Sequence, residues 1–182
     1  GITREDQDRW AYQSQMKHAK AFSEGKFKIG EELMRVEIPQ KKGPPLVFEK
    51  DEFPKPDTTL ERLSKLPLVY GSPTVTAGNA PGLDTGASAI LIMSEKRAKE
   101  KGLKPLAKIL SMVATATTPR LIAAIPGVTI QKALEKAQIT LDQIDLIEIN
   151  EAFAAMPLVS AKILADGDPD KMKSLLEKTN VN

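Results

Sequence analysis

Two apolar runs of strand length, residues 87–93 and 106–113, flank a charged stretch bounded as a helix is bounded. Ser94 stands where an N-cap accepts from orphan backbone N–H groups, and Gly102 stands where a left-handed residue ends a helix. Runs with so little polar alternation suit strands buried on both faces. A strand, a helix and a second buried strand in succession predict a layered α/β arrangement with helices covering a sheet. Residues 144–149 read as a third strand, followed by helices over 151–165, despite Pro157 near the start, and over 168–177. Between the second and third strands, residues 127–137 read as a helix and 140–143 as a short capped turn.

The first third of the 182 residues follows other rules. Residues 3–24 predict a helix, with Thr3 and Asp6 at capping-box spacing, Trp10, Tyr12, Met16 and Ala19 at roughly helical intervals, and Gly25 as its stop. Pro44, Pro45, Pro54 and Pro56 then exclude helix interiors and central strands, so residues 27–56 predict a loop-rich or edge region. Thr58-Thr59-Leu60-Glu61 opens a short helix that runs to Lys65, and Pro67 ends it. The composition changes near residue 70, which separates a loop-rich subdomain from the α/β part.

Charge and residue type exclude several functions. A formal net charge of +2 and an aromatic content of 4% offer neither a basic face for nucleic acid nor stacking platforms for single strands. No apolar stretch approaches the roughly 20 residues of a membrane helix, and the polar start Gly1-Ile2-Thr3-Arg4-Glu5-Asp6 does not read as a secretion signal. A cytoplasmic setting without a membrane or nucleic-acid partner is the expectation. The chain holds no cysteine and a single histidine, His18. Within it, a thiol nucleophile, a disulfide and a thiolate or multi-histidine metal site are excluded, and no metal is expected.

Four stretches invite a functional reading. Ala77-Gly78-Asn79-Ala80-Pro81-Gly82-Leu83-Asp84-Thr85-Gly86 carries three glycines without phosphate-cradle spacing, so tight turning is the simpler account. The basic run Lys96, Arg97, Lys99 and Lys101, interleaved with Glu95 and Glu100, reads as a solvated helix face. His18, between Lys17 and Lys20, reads as exposed. Asn150 and Glu151 sit where a strand turns into a helix. There an Asn can polarise a carbonyl or hold a water, while the carboxylate can tune a base or cap the helix; both roles stay open.

Several segments in order resemble thiolases, which move acyl groups to and from coenzyme A. Gly1-Ile2-Thr3-Arg4-Glu5-Asp6-Gln7-Asp8 resembles the family's G-[IL]-[ST]-R-E-x-Q-D, and Gly25-Lys26-Phe27-Lys28 resembles its G-x-F-x turn. Thr74-Val75-Thr76-Ala77-Gly78-Asn79-Ala80 resembles T-V-T-A-G-N-[AS], and Asp84-Thr85-Gly86-Ala87 resembles a D-G-A-like strand entry. Asp145 to Ala155, with Asn150-Glu151-Ala152-Phe153 at its centre, resembles the NEAF loop and the strand before it.

The resemblance implies part of a five-layered αβαβα fold with a loop-rich subdomain at its N-terminal end. Residues 1–70 would be the second part of that subdomain, 71–104 the end of the N-terminal half, and 105–182 the start of the C-terminal half. It implies acyl transfer, of acetyl groups above all, through a cysteine thioester, with coenzyme A as substrate and no cofactor. Asn150 would hold the oxyanion-hole water, Ala152 and Phe153 would lie beside the acyl group and the thiol end of CoA, and Ser111 would contact the CoA tail. The family's two catalytic cysteines and its G-H-P histidine have no counterpart here. The expectation is therefore a fragment or one chain of a split enzyme. It would be inactive alone, would depend on the remaining segments or a complementary chain, and would belong to a homo-oligomer when intact. A non-catalytic binding or structural subunit is the alternative. Smaller departures touch CoA binding: residues 64–70 hold no arginine, Pro81 replaces a serine, and Ile125-Pro126-Gly127 replaces a G-P-rich turn.

Overall fold

The computed structural model describes residues 1–181. Helix α1 spans Arg4–Ser23 and begins with the predicted reciprocal cap: Thr3 Oγ1 accepts from the Asp6 N–H at 3.1 Å, while Thr3 N–H donates to Asp6 Oδ2 at 2.9 Å. The Thr3 hydroxyl, which donates to Asp6 Oδ2 at 2.7 Å, and then the Thr3 N–H hold the Asp6 carboxyl below its ordinary range. The buried face of α1 is Gln7, Asp8, Trp10, Ala11 and Ser14, an i, i+3, i+4, i+7 stripe in which three of five residues are polar. Such a stripe requires hydrogen-bonding partners across the interface.

The predicted loop-rich region contains one two-stranded antiparallel ribbon, β1 (Val36–Ile38) against β2 (Leu46–Phe48), tied on its surface by an Arg35–Glu49 ion pair. Helix α2 (Leu60–Ser64), capped by Thr59, buries Leu63. A Cβ on Gly78 would stand 2.5 Å from Leu63 Cδ2 and 2.6 Å from Leu66 Cδ1, so a side chain there would displace the leucine methyls against which the 74–80 turn packs.

Helix α3 (Glu95–Glu100) forms as its Ser94 cap predicts, with Ser94 Oγ accepting from the Arg97 N–H at 3.2 Å. The basic side chains of this helix face solvent, where Arg97 pairs with Glu100 and Lys99 with Glu95. The strands predicted on either side of it do not form. Residues 87–93 and 106–113 form neither helix nor ladder, and Ile90, Leu91, Leu106 and Met112 are exposed. A ladder needs a neighbouring strand about 4.8 Å away and a buried strand needs a layer on each face. Among the described residues neither run has such a neighbour. The second run instead lies along helix α4 (Ile125–Ala137): Ser111 Oγ donates to the Ala133 carbonyl at 2.8 Å, Lys136 Nζ to the Met112 carbonyl at 3.0 Å, and the Thr115 and Thr129 hydroxyls meet. A 3₁₀ segment, Pro119–Ala124, precedes α4 and was not foreseen from the sequence.

The C-terminal part gathers around helix α5 (Ala155–Leu164), which buries Met156, Pro157, Leu158, Ser160, Ala161 and Leu164 and so is covered on several sides. It starts four residues later than predicted, and Pro157 falls in its first turn, where the missing N–H costs no helical bond. The third strand is shorter than predicted: β3 (Ile147–Glu148) pairs in parallel with β4 (Thr179–Asn180), which follows helix α6 (Pro169–Glu177). One core joins Ile147, Ile149, Met156, Ala161, Leu164 and Leu175; a second joins Trp10 and Ala11 of α1 to Ala154 and Leu158. Among the described residues no helix is long and apolar enough to cross a membrane.

Helices α4 and α5 touch closely at Gly127, whose N–H donates to the buried Ser160 Oγ at 3.1 Å. A Cβ there would stand 3.0 Å from Ser160 Cα and 3.1 Å from its carbonyl oxygen, both backbone. Gly127→Val is therefore expected to lower stability by about 1–3 kcal/mol through overpacking, read as a lowered urea midpoint with an unchanged m-value.

Candidate active-site loop

The loop 150–154 leaves β3 after Ile149, whose N–H is fixed on the Asn180 carbonyl at 3.1 Å. Buried Ile147 and Ile149 alternate with exposed Glu148 and Asn150, so the strand's period delivers Asn150 to the open face. Glu148, on that same face, accepts from Asn180 Nδ2 at 2.7 Å. The Asn150 carbonyl accepts from the Ala152 N–H at 2.9 Å, which turns the chain sharply before α5. Asn150 lines a cleft of about 440 Å³ with Thr115, Pro126, Thr129, Glu148 and Met156.

Two tertiary contacts hold this loop against the rest of the chain. The first runs through Asn79. Its carbonyl accepts from the Ala154 N–H at 3.0 Å, and Ala154 is only 1% exposed. The Asn79 side chain is fully engaged: Oδ1 accepts from the Thr76 N–H at 2.9 Å, and Nδ2 donates to Asp8 Oδ1 at 2.9 Å and to the Thr74 carbonyl at 3.0 Å. Asp8 in turn accepts from Arg4 Nε at 2.6 Å, and the same guanidinium donates to the Leu63 and Leu66 carbonyls at 2.7 and 3.3 Å. The stretches around Asp8, Asn79 and Ala154, far apart in sequence, thus meet in one network.

The second contact is at Glu151. Ser14 Oγ donates to Glu151 Oε2 at 2.6 Å. Burial is the largest influence on this carboxyl and raises its pKa from 4.5 to about 7. The Ser14 bond and the nearby Lys17 charge oppose that rise in part. The Trp10 indole N–H also favours the ionised form, yet it falls short of hydrogen-bond geometry and is a buried donor without a partner. Glu151 does not cap α5, whose N-terminal residue Ala154 provides no side-chain cap.

The other residues singled out from the sequence are placed less centrally. Ala152 and Phe153 are half-buried and pack on the Ile147–Ile149 core without lining the Asn150 cleft. Ser111 is half-buried, bonded to the Ala133 carbonyl, and also outside that cleft. His18 is half-buried rather than exposed: its ring lies 5.1 Å from Phe27 and 6.3 Å from Phe22, because Phe27 folds back over the end of α1. Sequence reasoning passed over Asp8, Ser14 and the side chain of Asn79 as structural residues. The signal that could have found them is the polar content of the inward stripe of α1, which no amphipathic helix needs for packing alone.

Asn79→Ala is expected to cost about 2–4 kcal/mol, because it leaves the Asp8 carboxylate and the Thr76 N–H buried without their partner; thermal unfolding followed by circular dichroism measures it. A pH dependence follows from Glu151. Between pH 4.5 and about 7 the folded state keeps a proton that the unfolded chain has lost, so stability falls as pH rises through this window and levels off above it. Denaturant titrations at both ends are expected to differ by about 2–3 kcal/mol from this group, and Glu151→Gln removes that difference.

With this geometry in hand, comparison with known proteins is direct. Residues 1–96 match the family model "Thiolase, N-terminal domain" and residues 103–182 match "Thiolase, C-terminal domain". The chain is 45% identical over 171 residues to a beta-ketoadipyl-CoA thiolase of Acinetobacter baylyi, an alignment that covers 93% of this chain and 42% of that protein. Its fold superposes on the crystal structure of the Bacillus anthracis acetyl-CoA acetyltransferase with a TM-score of 0.86 at 40% identity, covering 98% of this chain and 43% of that one. Human mitochondrial 3-ketoacyl-CoA thiolase in complex with CoA superposes with a TM-score of 0.83 at 39% identity, covering 100% and 42%. The chain thus spans about two-fifths of the length of the relatives it matches. Its α/β fold is that of the corresponding thiolase segments, and the chain belongs to the thiolase family.

Proposed function

We propose that these residues form one wall of a thiolase active site, which transfers acyl groups, acetyl above all, to or from coenzyme A. The observation that carries the reading is Asn150, presented at the end of β3 into an open cleft by a loop fixed on both α1 and Asn79. In the mechanism, a cysteine thiolate attacks the acyl-CoA carbonyl, the carbonyl oxygen gains negative charge, and a preorganised donor stabilises it. Asn150 supports that step by holding the water that donates to the oxyanion. Its amide N–H groups are neutral donors, so they hold the water without adding a charge that would shift the nucleophile.

The cysteine lies outside these 182 residues, which hold none. Remaining thiolase segments or a complementary chain are accordingly the partners, and the assembled enzyme is a homo-oligomer in the cytoplasm. We place Ser111 at the CoA tail and Ala152 and Phe153 beside the acyl group and the thiol end. We assign residues 1–70 to the second part of the loop subdomain, 71–104 to the end of the N-terminal half and 105–182 to the start of the C-terminal half. Coenzyme A enters as a substrate and no further cofactor is required. The solved human relative in complex with CoA supports this choice of ligand.

A second reading, a thiolase-derived binding or structural subunit without catalysis, is favoured by one observation. The lone histidine, His18, is engaged with Phe22 and Phe27 and does not line the Asn150 cleft.

The pure chain is expected to show no CoA-dependent cleavage of acetoacetyl-CoA above buffer, and measurable turnover would contradict the account. When the chain is combined with segments carrying the cysteines and the G-H-P histidine, Asn150→Ala is expected to lower kcat by about 10²–10³-fold with little change in KM. Turnover in that assembly indifferent to Asn150 would sink the oxyanion role. CoA binding without turnover would favour the second reading.

A further inference from the structure

We propose that Glu151 is a proton-controlled clamp, closed through Ser14 and Trp10 of α1, that positions the loop carrying Asn150. The acyl-transfer reading makes no use of this carboxyl, although it is next in sequence to Asn150. Its partner Ser14 stands 137 residues earlier, so the 2.6 Å bond joins two elements rather than stabilising a turn. Ser14 shares the buried face of α1 with Trp10 and Ala11, which meet Ala154 and Leu158 in the second core. On the same face of α1 the Trp10 Nε1–H is a buried donor lacking an acceptor, a state that among the described residues' buried side-chain polar atoms only Gln7 Oε1 shares.

These facts define two states of one contact. With its proton, Glu151 is neutral, tolerates burial, and is held by the Ser14 hydroxyl. When the proton leaves to solvent, the carboxylate has lone pairs that a single hydroxyl cannot fill, and the Trp10 N–H and the Lys17 ammonium are the groups placed to meet the charge. Lys17 already lies over the Trp10 ring at 5.6 Å. Ionisation therefore draws the start of the loop along α1 toward Trp10 and Lys17, and Asn150 moves with it.

Other charges nearby are already committed. Asp8 of α1 is held by Arg4 and Asn79, and Glu148 of β3 accepts from Asn180. Helix α6 and the segment after β4 present Met172, Leu176 and Val181, all apolar, to the same core. Lys17 is the charged side chain that acts on Glu151. The raised pKa, about 7, places the change within the neutral range. Glu151 acts through Asn150 and is thus a positioning residue. Its consequence for the oxyanion water rests on the acyl-transfer reading, whereas the clamp itself does not.

Trp10 is the single tryptophan and reports on the contact directly. The test follows its fluorescence on the intact chain as pH is raised from about 5 to about 9, with the Glu151 carboxyl carbon followed by NMR as a second measure. One transition with a midpoint near 7 is expected in both signals. Glu151→Gln should abolish the fluorescence transition while His18 remains in place. Ser14→Ala, which removes a donor to the ionised form, should raise the midpoint by about half a unit or more. A flat titration, a transition retained in Glu151→Gln, or a midpoint indifferent to Ser14→Ala would overturn the clamp. Should Glu151→Gln fail to fold, the wild-type carboxyl titration and Ser14→Ala decide the matter. Failure here with turnover still dependent on Asn150 would remove the clamp alone; a normal titration with turnover indifferent to Asn150 would remove the acyl-transfer reading alone.

Discussion

The Asp8 carboxylate is the point on which the arrangement of this chain depends. It is 7% exposed, and a charge so placed is costly unless paired and hydrogen-bonded. Arg4 supplies the opposite charge from one turn earlier, and Asn79 supplies the second bond from the 74–80 turn. Removing either partner would leave a buried charge unbalanced, so the network constrains geometry more than it contributes net stability. Because the Asn79 carbonyl also accepts from Ala154, the position of the candidate loop is set by a helix at the other end of the chain.

This gives the site an unusual division of labour. Asn150 itself is exposed and makes its contacts at the edge of an open cleft, while the residues behind it, Ala154, Asn79, Asp8 and Ser14, are buried. A donor that must hold a water in a fixed place benefits from such a rigid backing, since preorganisation is the larger part of oxyanion stabilisation. The loop bears polar side chains at one end, and at the other Ala154 enters a core it shares with Trp10 and Leu158. Burial and hydrogen bonding thus fix it from two directions.

Much of the local structure was legible in the sequence. Thr3 with Asp6 and Ser94 mark helix starts through bonds made within three residues, and those caps form as expected, while α2 starts one residue later than the Thr58–Glu61 spacing implies, with Thr59 as its cap. The apolar content of runs 87–93 and 106–113 predicts buried strands because it states a demand for burial. It does not say whether partner strands are present, and among the described residues none pairs with them. The strand before Asn150 is legible in kind, because alternation over 147–150 is a local signal. The sequence leaves Glu151 between tuning a base and capping a helix. It does not cap α5, and its partner Ser14 is not visible in the spacing, because that contact exists only once α1 and the loop are packed together. The Asn79 stretch was read as a glycine turn, which it is, while the work of the Asn side chain depends on Asp8 far from it.

The account rests on the candidate loop being held by α1 through Asn79, and the Ala154 amide reports on that bond alone. Hydrogen exchange followed residue by residue by NMR would measure it. Slow exchange at Ala154 is expected in the native chain, with selective acceleration in Asp8→Ala while amides within α4 stay protected. Exchange at Ala154 as fast as in the exposed stretch 87–93, or protection indifferent to Asp8, would contradict the account.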